Sequence, residues 1–236
     1  MKGLSLDAMT FFFPNAKEPF FEGLSLHFPA GKLHFIQGKN GSGKSTLLRI
    51  LQGMIMPNEK LTVVLSLNAE QATIHNNSLP VRITQKIKTV VQDTDDMLAN
   101  QFTVKQNLQC AQLPLHPSLG SLPAAHDFLF LLEEFGIRMD QQVSQLSGGQ
   151  RQILAILMIL QKPTEVLLLD EPTAALDPTN ASMIINFLNQ LAFKKNLIVI
   201  IISHDAELVR TYCSGSHFEI YHEDSGIRRL RIINLC

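Results

Sequence analysis

The period of the hydrophobic positions changes along the chain, and the changes mark out its elements. Near the start Leu4, Leu6 and Ala8 alternate with polar neighbours; Pro14-Asn15 breaks the pattern, and it resumes at Phe21, Leu24, Leu26 and Phe28. A period of two predicts half-buried antiparallel strands joined by a turn. Ala30-Gly31-Lys32 turns into the apolar run Leu33-His34-Phe35-Ile36, read as a strand. Residues 47–51 follow with helical spacing, Gly53 serving as C-cap and Pro57 as stop. Residues 61–67 are apolar and β-branched and predict another strand. Residues 68–80 are polar, with a turn signal at Asn76-Asn77, and no element is assigned to them.

Residues 93–143 change character. Pro114, Pro117 and Pro123 lie in a loop, and Phe128, Leu131, Leu132 and Phe135 then recur at helical spacing up to Gly136. This predicts a mostly helical insert. Beyond it come an apolar helix over 153–160, a fully apolar strand over 165–170, an amphipathic helix over 182–193 and a second apolar strand over 197–202. A short helix over 205–212 and closing strands over 218–221 and 227–233 complete the pattern. Continuous apolar strands alternating with helices predict an α/β fold with a parallel sheet covered on both faces.

Composition narrows the class without changing this outline. The 236 residues suffice for one large α/β domain or for one with a small insert. With 45% hydrophobic and 17% charged residues, the chain is not disordered. A net charge of −1 argues against a nucleic-acid-wrapping surface. Cys110, Cys213 and Cys236 are widely spaced and read as free thiols of a reducing compartment. No run is long enough to span a bilayer, no cleavable leader is read at the start, and the last four residues are no lipidation box. Any membrane work would therefore need another chain.

The chemistry concentrates in a few stretches. Gly38-Lys39-Asn40-Gly41-Ser42-Gly43-Lys44-Ser45-Thr46 fits G-x-x-x-x-G-K-[ST] between a predicted strand and a predicted helix. Glycines let such a loop curl its N–H groups around an anion, and the helix start adds its positive end. Lys44 brings a cation to the outer phosphates, and Ser45 offers a hydroxyl to Mg²⁺. The competing reading is a chance glycine turn. Asp170 and Glu171 end an apolar strand, where Asp170 would suit Mg²⁺ and Glu171 a general base; the alternative is an ordinary strand-to-turn edge. Ser147-Gly148-Gly149-Gln150 opens a helix, with Ser147 as N-cap, and forms either a second anion site or a plain capped helix. Two anion sites per chain suggest two copies sandwiching two nucleotides. His204 at a strand end could reach a γ-phosphate or be a surface loop histidine.

In this order and spacing the pieces resemble the nucleotide-binding subunit of an ABC transporter, over nearly the whole chain. The resemblance implies a P-loop NTPase of ABC type: a mixed sheet core with an N-terminal antiparallel β part (1–92 and 145–236) and a helical subdomain (93–144). It implies that residues 38–46 are the Walker A loop binding ATP and Mg²⁺, Gln92 the Q-loop glutamine, and residues 146–150 the signature. Asp170 and Glu171 would then be the Walker B pair, Ala175-Leu176-Asp177 the D-loop, and His204 the switch histidine. Phe13 stands where the family usually has a tyrosine as adenine platform, and a flat π face suffices for stacking. Since every such position is filled, a competent ATPase is expected, with no regulatory domain after the last strand. The implied working form is a homodimer on ATP binding, or a heterodimer with a paralogue, driving a transmembrane permease from the inner face of the cell membrane. Residues 92–107 and 149–158 and the Thr173-to-Pro178 run are similar to importers of small organic solutes, amino acids included, that use a solute-binding protein. Gln-Asp-Thr here replaces the usual Gln-Asp-Pro. A lipoprotein or peptide exporter is the rival; a cofactor-assembly ATPase is a further alternative. ABC translation factors carry two such units in one chain, and chromosome-maintenance ATPases carry a long coiled coil with heptads, which are lacking between Gln92 and Leu146.

Overall fold

A computed structural model describes residues 2–55, 59–68, 70–75, 80–90, 97–113, 129–173, 176–222 and 227–235. Gln92, Pro57, the Asn76-Asn77 turn, the proline loop at 114–123 and Ala175 of the D-loop lie outside these residues. The chain forms two compact units. The first comprises Met1–Thr89, Thr164–Glu171 and Leu188–Cys236, and the second Val90–Pro163 and Pro172–Phe187.

The N-terminal alternation becomes β1 (Gly3–Phe12) and β2 (Phe21–Pro29), an antiparallel pair. The inward set, however, is not the one that simple alternation gives. Ala8 takes a left-handed φ of 51° and is exposed, while Met9 and Phe11 are fully buried. The register shifts between Leu6 and Met9 on the pairing with β2, which marks a β-bulge that moves the inward positions by one. β4 (Lys60–Leu67) pairs with the other edge of β1. The polar stretch left without an element contains a strand, β5 (Glu70–His75), antiparallel to β4. Asn68 at φ 53° makes the turn between them, a conformation asparagine tolerates.

β3 (Lys32–Gly38) lies between β8 (Ile198–Ile202) and β9 (Ser216–His222), parallel to both. β7 (Val166–Asp170) runs parallel on the far side of β8. With β6 (Ile87–Val90) and β10 (Arg228–Leu235) they make one ten-stranded sheet, ordered β5-β4-β1-β2-β10-β9-β3-β8-β7-β6. All five residues of β8 are buried, as the continuous apolar run required. Because β3, β7 and β8 are parallel and in register, Gly38, Asp170 and Ile202 emerge at the same edge, where open α/β sheets gather their chemistry.

The helices of the first unit are α1 (Lys44–Leu51), the short α2 (Val81–Thr84) and α7 (Ala206–Tyr212). Arg49 on α1 forks onto buried Glu59 through two bonds of 2.8 and 2.7 Å, tying the helix end to the start of β4. The second unit holds α3 (Val104–Gln112), α4 (Leu129–Glu134) and α5 (Gly148–Ile159). α6 (Pro178–Lys195) begins there and continues into the first unit from Leu188. The second unit thus takes in α5 and the start of α6 beyond the 93–144 stretch expected as the helical insert. Among the described residues no helix is long and apolar enough to cross a membrane.

Candidate functional site

The glycine loop closes β3 and opens α1. Lys44 folds its side chain back over the loop, and Nζ donates to Gly38 O at 2.7 Å and Lys39 O at 3.2 Å. That posture fixes the ammonium above the loop backbone. Gly43, the N-cap of α1, has φ 107° and leaves no room for a Cβ: one would lie 2.8 Å from the Phe20 ring and 2.9 Å from Phe21. α1 has no side-chain cap, whereas α3, α5 and α7 are capped by Thr103, Ser147 and Asp205. Ser42 Oγ is buried without a hydrogen-bond partner among the described residues. An open helix start, a positioned ammonium and an orphaned hydroxyl fit an oxyanion such as a polyphosphate. Lys39, Asn40 and Gly41 are exposed on the outer side of the loop, and Thr46 lies within the first turn of the helix.

Ser45 Oγ lies 3.5 Å from Asp170 Oδ2, so the hydroxyl and the carboxylate face each other across the sheet edge. Burial, then the neighbouring Glu171 charge, push the Asp170 carboxyl up; Lys44 and the Ser45 hydroxyl oppose the shift. A positive charge placed beside it would favour the ionised carboxylate and so oppose that shift. Among the described residues no three His, Cys, Asp or Glu side chains could hold a metal together. The donor set here, one carboxylate and one hydroxyl, is the incomplete kind that Mg²⁺ completes with phosphate oxygens and water.

Glu171 adopts φ 48°, a left-handed conformation unusual for a glutamate, and its N–H donates to Ile202 O at 3.0 Å. The twist turns its carboxylate toward the end of β8. There His204 meets it, with Nδ1 2.8 Å from Oε1. Glu171 is largely sheltered while the His204 side chain is 72% exposed, so one face of the ring stays open to an incoming group. Asp205 behind it caps α7, accepting from Glu207 N at 2.9 Å and Leu208 N at 3.0 Å, which fixes the loop that carries His204.

Phe13 is half-buried in an aromatic group, edge-on to Phe11 (5.1 Å) and to Phe20 (4.7 Å). Phe20 and Arg228 belong to the same wall and were missed from sequence. Phe20 abuts Gly43, and the Arg228 guanidinium stacks 3.7 Å above its ring. Phe20 looked like one more strand position, and Arg228 sits some two hundred residues away in a closing strand, so only the β10–β2 pairing joins them.

In the second unit Ser147 caps α5 in a full capping box. Its Oγ accepts from Gln150 N at 3.2 Å, and Gln150 Oε1 accepts from Ser147 N at 3.0 Å. Part of the anion-binding capacity read from the two glycines is thus used internally. Gly149 is buried because Asn180 occupies the space beside it: a Cβ there would lie 2.7 Å from Asn180 Oδ1. Asn180 is a further residue that no motif flagged.

Taken together, these features define a P-loop nucleotide-binding protein. A family model described as ABC transporter matches residues 21–174, and the chain belongs to that family. It is 32% identical over 194 residues to the methionine import ATP-binding protein MetN of Streptococcus pyogenes, covering 81% of this chain and 54% of the relative. The chain therefore spans about half the length of the curated relatives it matches. Among solved structures, an ATP-binding cassette of an ABC transporter in its ADP conformation superposes with TM-score 0.73 at 22% identity, covering 98% of this chain and 90% of that one. A cassette from Clostridium perfringens, part of the transporter complex cbiONQ, gives TM-score 0.69 at 26% identity, over 97% and 86% of the two chains.

Proposed function

We propose that this chain binds and hydrolyses ATP to power a membrane transporter, and that the transporter imports a small organic solute. The observation that carries hydrolysis is the meeting, at one sheet edge, of Lys44, the Ser45–Asp170 pair and the Glu171–His204 pair. Lys44 holds the outer phosphates, with the loop N–H groups around them. Mg²⁺, held by Ser45 and Asp170 and by Gln92 as the resemblance implies, would supply positive charge to the phosphate oxygens. Glu171 takes the proton of the attacking water, and His204 keeps its carboxylate turned to the site. Phe13 stacks the base. The signature at 147–150 closes over the nucleotide of a second copy or of a paralogue. That use gives the second helix start a role that its capping box alone leaves unexplained.

Import is supported by the similarity to an import ATP-binding protein, and methionine or a related amino acid is the first cargo to test. The cargo contacts belong to other chains: a permease, and a solute-binding protein outside the membrane, with this chain peripheral on the inner face. Two measurements test the reading. Glu171→Gln should lower turnover by roughly 10²–10⁴-fold while ATP binding persists; full turnover in that variant overturns the base assignment. Pull-down from detergent-solubilised membranes should recover a multi-span partner, with a binding protein if the direction is import. Ribosomal or DNA-associated partners without a membrane chain would overturn transport.

A further inference from the structure

We propose that Asn180 is a positioning residue that locks the start of α6 to the signature helix, so that Ser147 and Gly149 are presented to the partner's nucleotide in one fixed pose. The proposal rests on the reading that the signature closes over a nucleotide held by a second copy. Asn180 sits in the first turn of α6, and no sequence motif includes it. Asp177 holds it at two points. Asp177 Oδ1 accepts the Thr179 and Asn180 N–H groups at 3.0 and 3.1 Å, and the Asn180 amide donates to Asp177 Oδ2 at 2.5 Å. With its NH₂ spent on Asp177, the amide must turn its oxygen the other way, toward α5.

There Asn180 Oδ1 meets two signature residues. It lies 3.5 Å from Ser147 Oγ. It also lies 2.7 Å from the position a Cβ of Gly149 would take, with Cβ and Cγ of Asn180 at 3.2 Å. The Gly149 backbone is therefore packed directly onto the amide. Leu176 Cδ2 is likewise 3.6 Å from a Cβ position on Gly148. Leu176 and Asn180 thus form a seat for the start of α5, and Asp177 holds Asn180 in place.

The chemistry of Ser147 follows from that seat. Its oxygen accepts the Gln150 N–H, which leaves its proton for Asn180 Oδ1. At 3.5 Å that bond is at the limit of what counts as one, so the proton is parked rather than committed. A phosphate oxygen of an incoming nucleotide can take it over without disturbing the cap. Asn180 thereby orients the hydroxyl before the nucleotide arrives, and it couples that hydroxyl to Asp177, the D-loop aspartate. Pre-setting a hydroxyl in this way affects turnover and closure more than first binding of ATP.

The test compares Asn180→Ala and the isosteric Asn180→Asp with the parent, each also in a Glu171→Gln background. ATP affinity of the isolated subunit is measured with a fluorescent ATP analogue, closure by ATP-dependent dimerisation in sedimentation, and turnover by phosphate release. We expect unchanged analogue affinity, a kcat lower by roughly 10- to 100-fold, and dimerisation shifted to higher ATP. Asn180→Asp puts two carboxylates against each other, and its defect should ease as pH falls. Gly149→Ala should be less damaging on top of Asn180→Ala than alone, because the space its methyl needs has been vacated. If Asn180→Ala melts early, Asn180→Asp decides by the same readings. Parent-like kcat and dimerisation in the folded variants would overturn the role of Asn180. A Glu171→Gln parent that never dimerises with ATP would overturn the underlying reading instead, and the proposal with it.

Discussion

At the scale of single residues, backbone conformation and burial set the terms. Gly43 combines a left-handed φ with contact to Phe20, so Gly43→Ala is strained twice. The loop can escape this strain, about 1–2 kcal/mol, only by leaving its anion-binding pose; recovering that pose on binding should raise the KM for ATP roughly tenfold, measurable by steady-state hydrolysis. His34 shows a different constraint. It is fully buried on β3, its Nε2 donating to Pro29 O at 2.8 Å and its Nδ1 accepting the Ser216 N–H at 2.8 Å. Both nitrogens are used by the neutral ring, and burial lowers its pKa from 6.5 to about 4. The unfolded chain therefore takes up the proton first. The stability His34 contributes is full above pH 6.5 and is lost as pH falls toward 4, by about 3 kcal/mol. Denaturant melts of the parent and of His34→Gln across that window check this: the pH slope should flatten in the variant.

At the scale of elements, caps and pairings decide what a motif becomes. The capping box of α5 holds Ser147-Gly148-Gly149-Gln150 as a helix start, and Ser147→Ala should cost about 1 kcal/mol in chemical denaturation while also removing a hydroxyl from the proposed closure. The sheet edge does comparable work. The parallel register of β3, β8 and β7 brings the glycine loop, His204 and the carboxylate pair to one edge, although the sequence spreads them from residue 38 to residue 204. β5 went unassigned because its run, Glu70–His75, is polar and short. It is a strand because β4 offers a free edge one turn away.

At the scale of the whole chain, the first unit is held by apolar burial together with a few committed ion pairs. Arg49–Glu59 is the most buried of the described pairs, with the two side chains 28% and 4% exposed. Arg49→Met keeps the packing volume but takes the guanidinium from a buried carboxylate. That should cost about 3–5 kcal/mol, read as a lower melting temperature, with ATP affinity retained in the folded fraction. A variant as stable as the parent would show that Glu59 is satisfied by its other contacts.

The chain sequence by itself determined the glycine loop, the carboxylates at the end of β7, the cap at Ser147 and the strands and helices with strong apolar patterns, such as β3, β7, β8 and α5. Each depends on neighbours within a few residues: a turn needs its glycines, a cap its serine, a buried strand its unbroken apolar run. Only the tertiary structure decided which residues face inward across the Ala8 bulge, that β5 is a strand, that Phe20 and Arg228 pack beside Phe13 and the glycine loop, and that Asn180 packs on the start of α5. Those outcomes depend on partners far away in sequence. Met9 replaces Ala8 in the core because the bulge shifts the register against β2 and β4. Arg228 reaches Phe20 because β10 lies beside β2. Asn180 touches Gly149 because α6 starts against α5. Spacing along the chain carries no record of such contacts; packing and register create them.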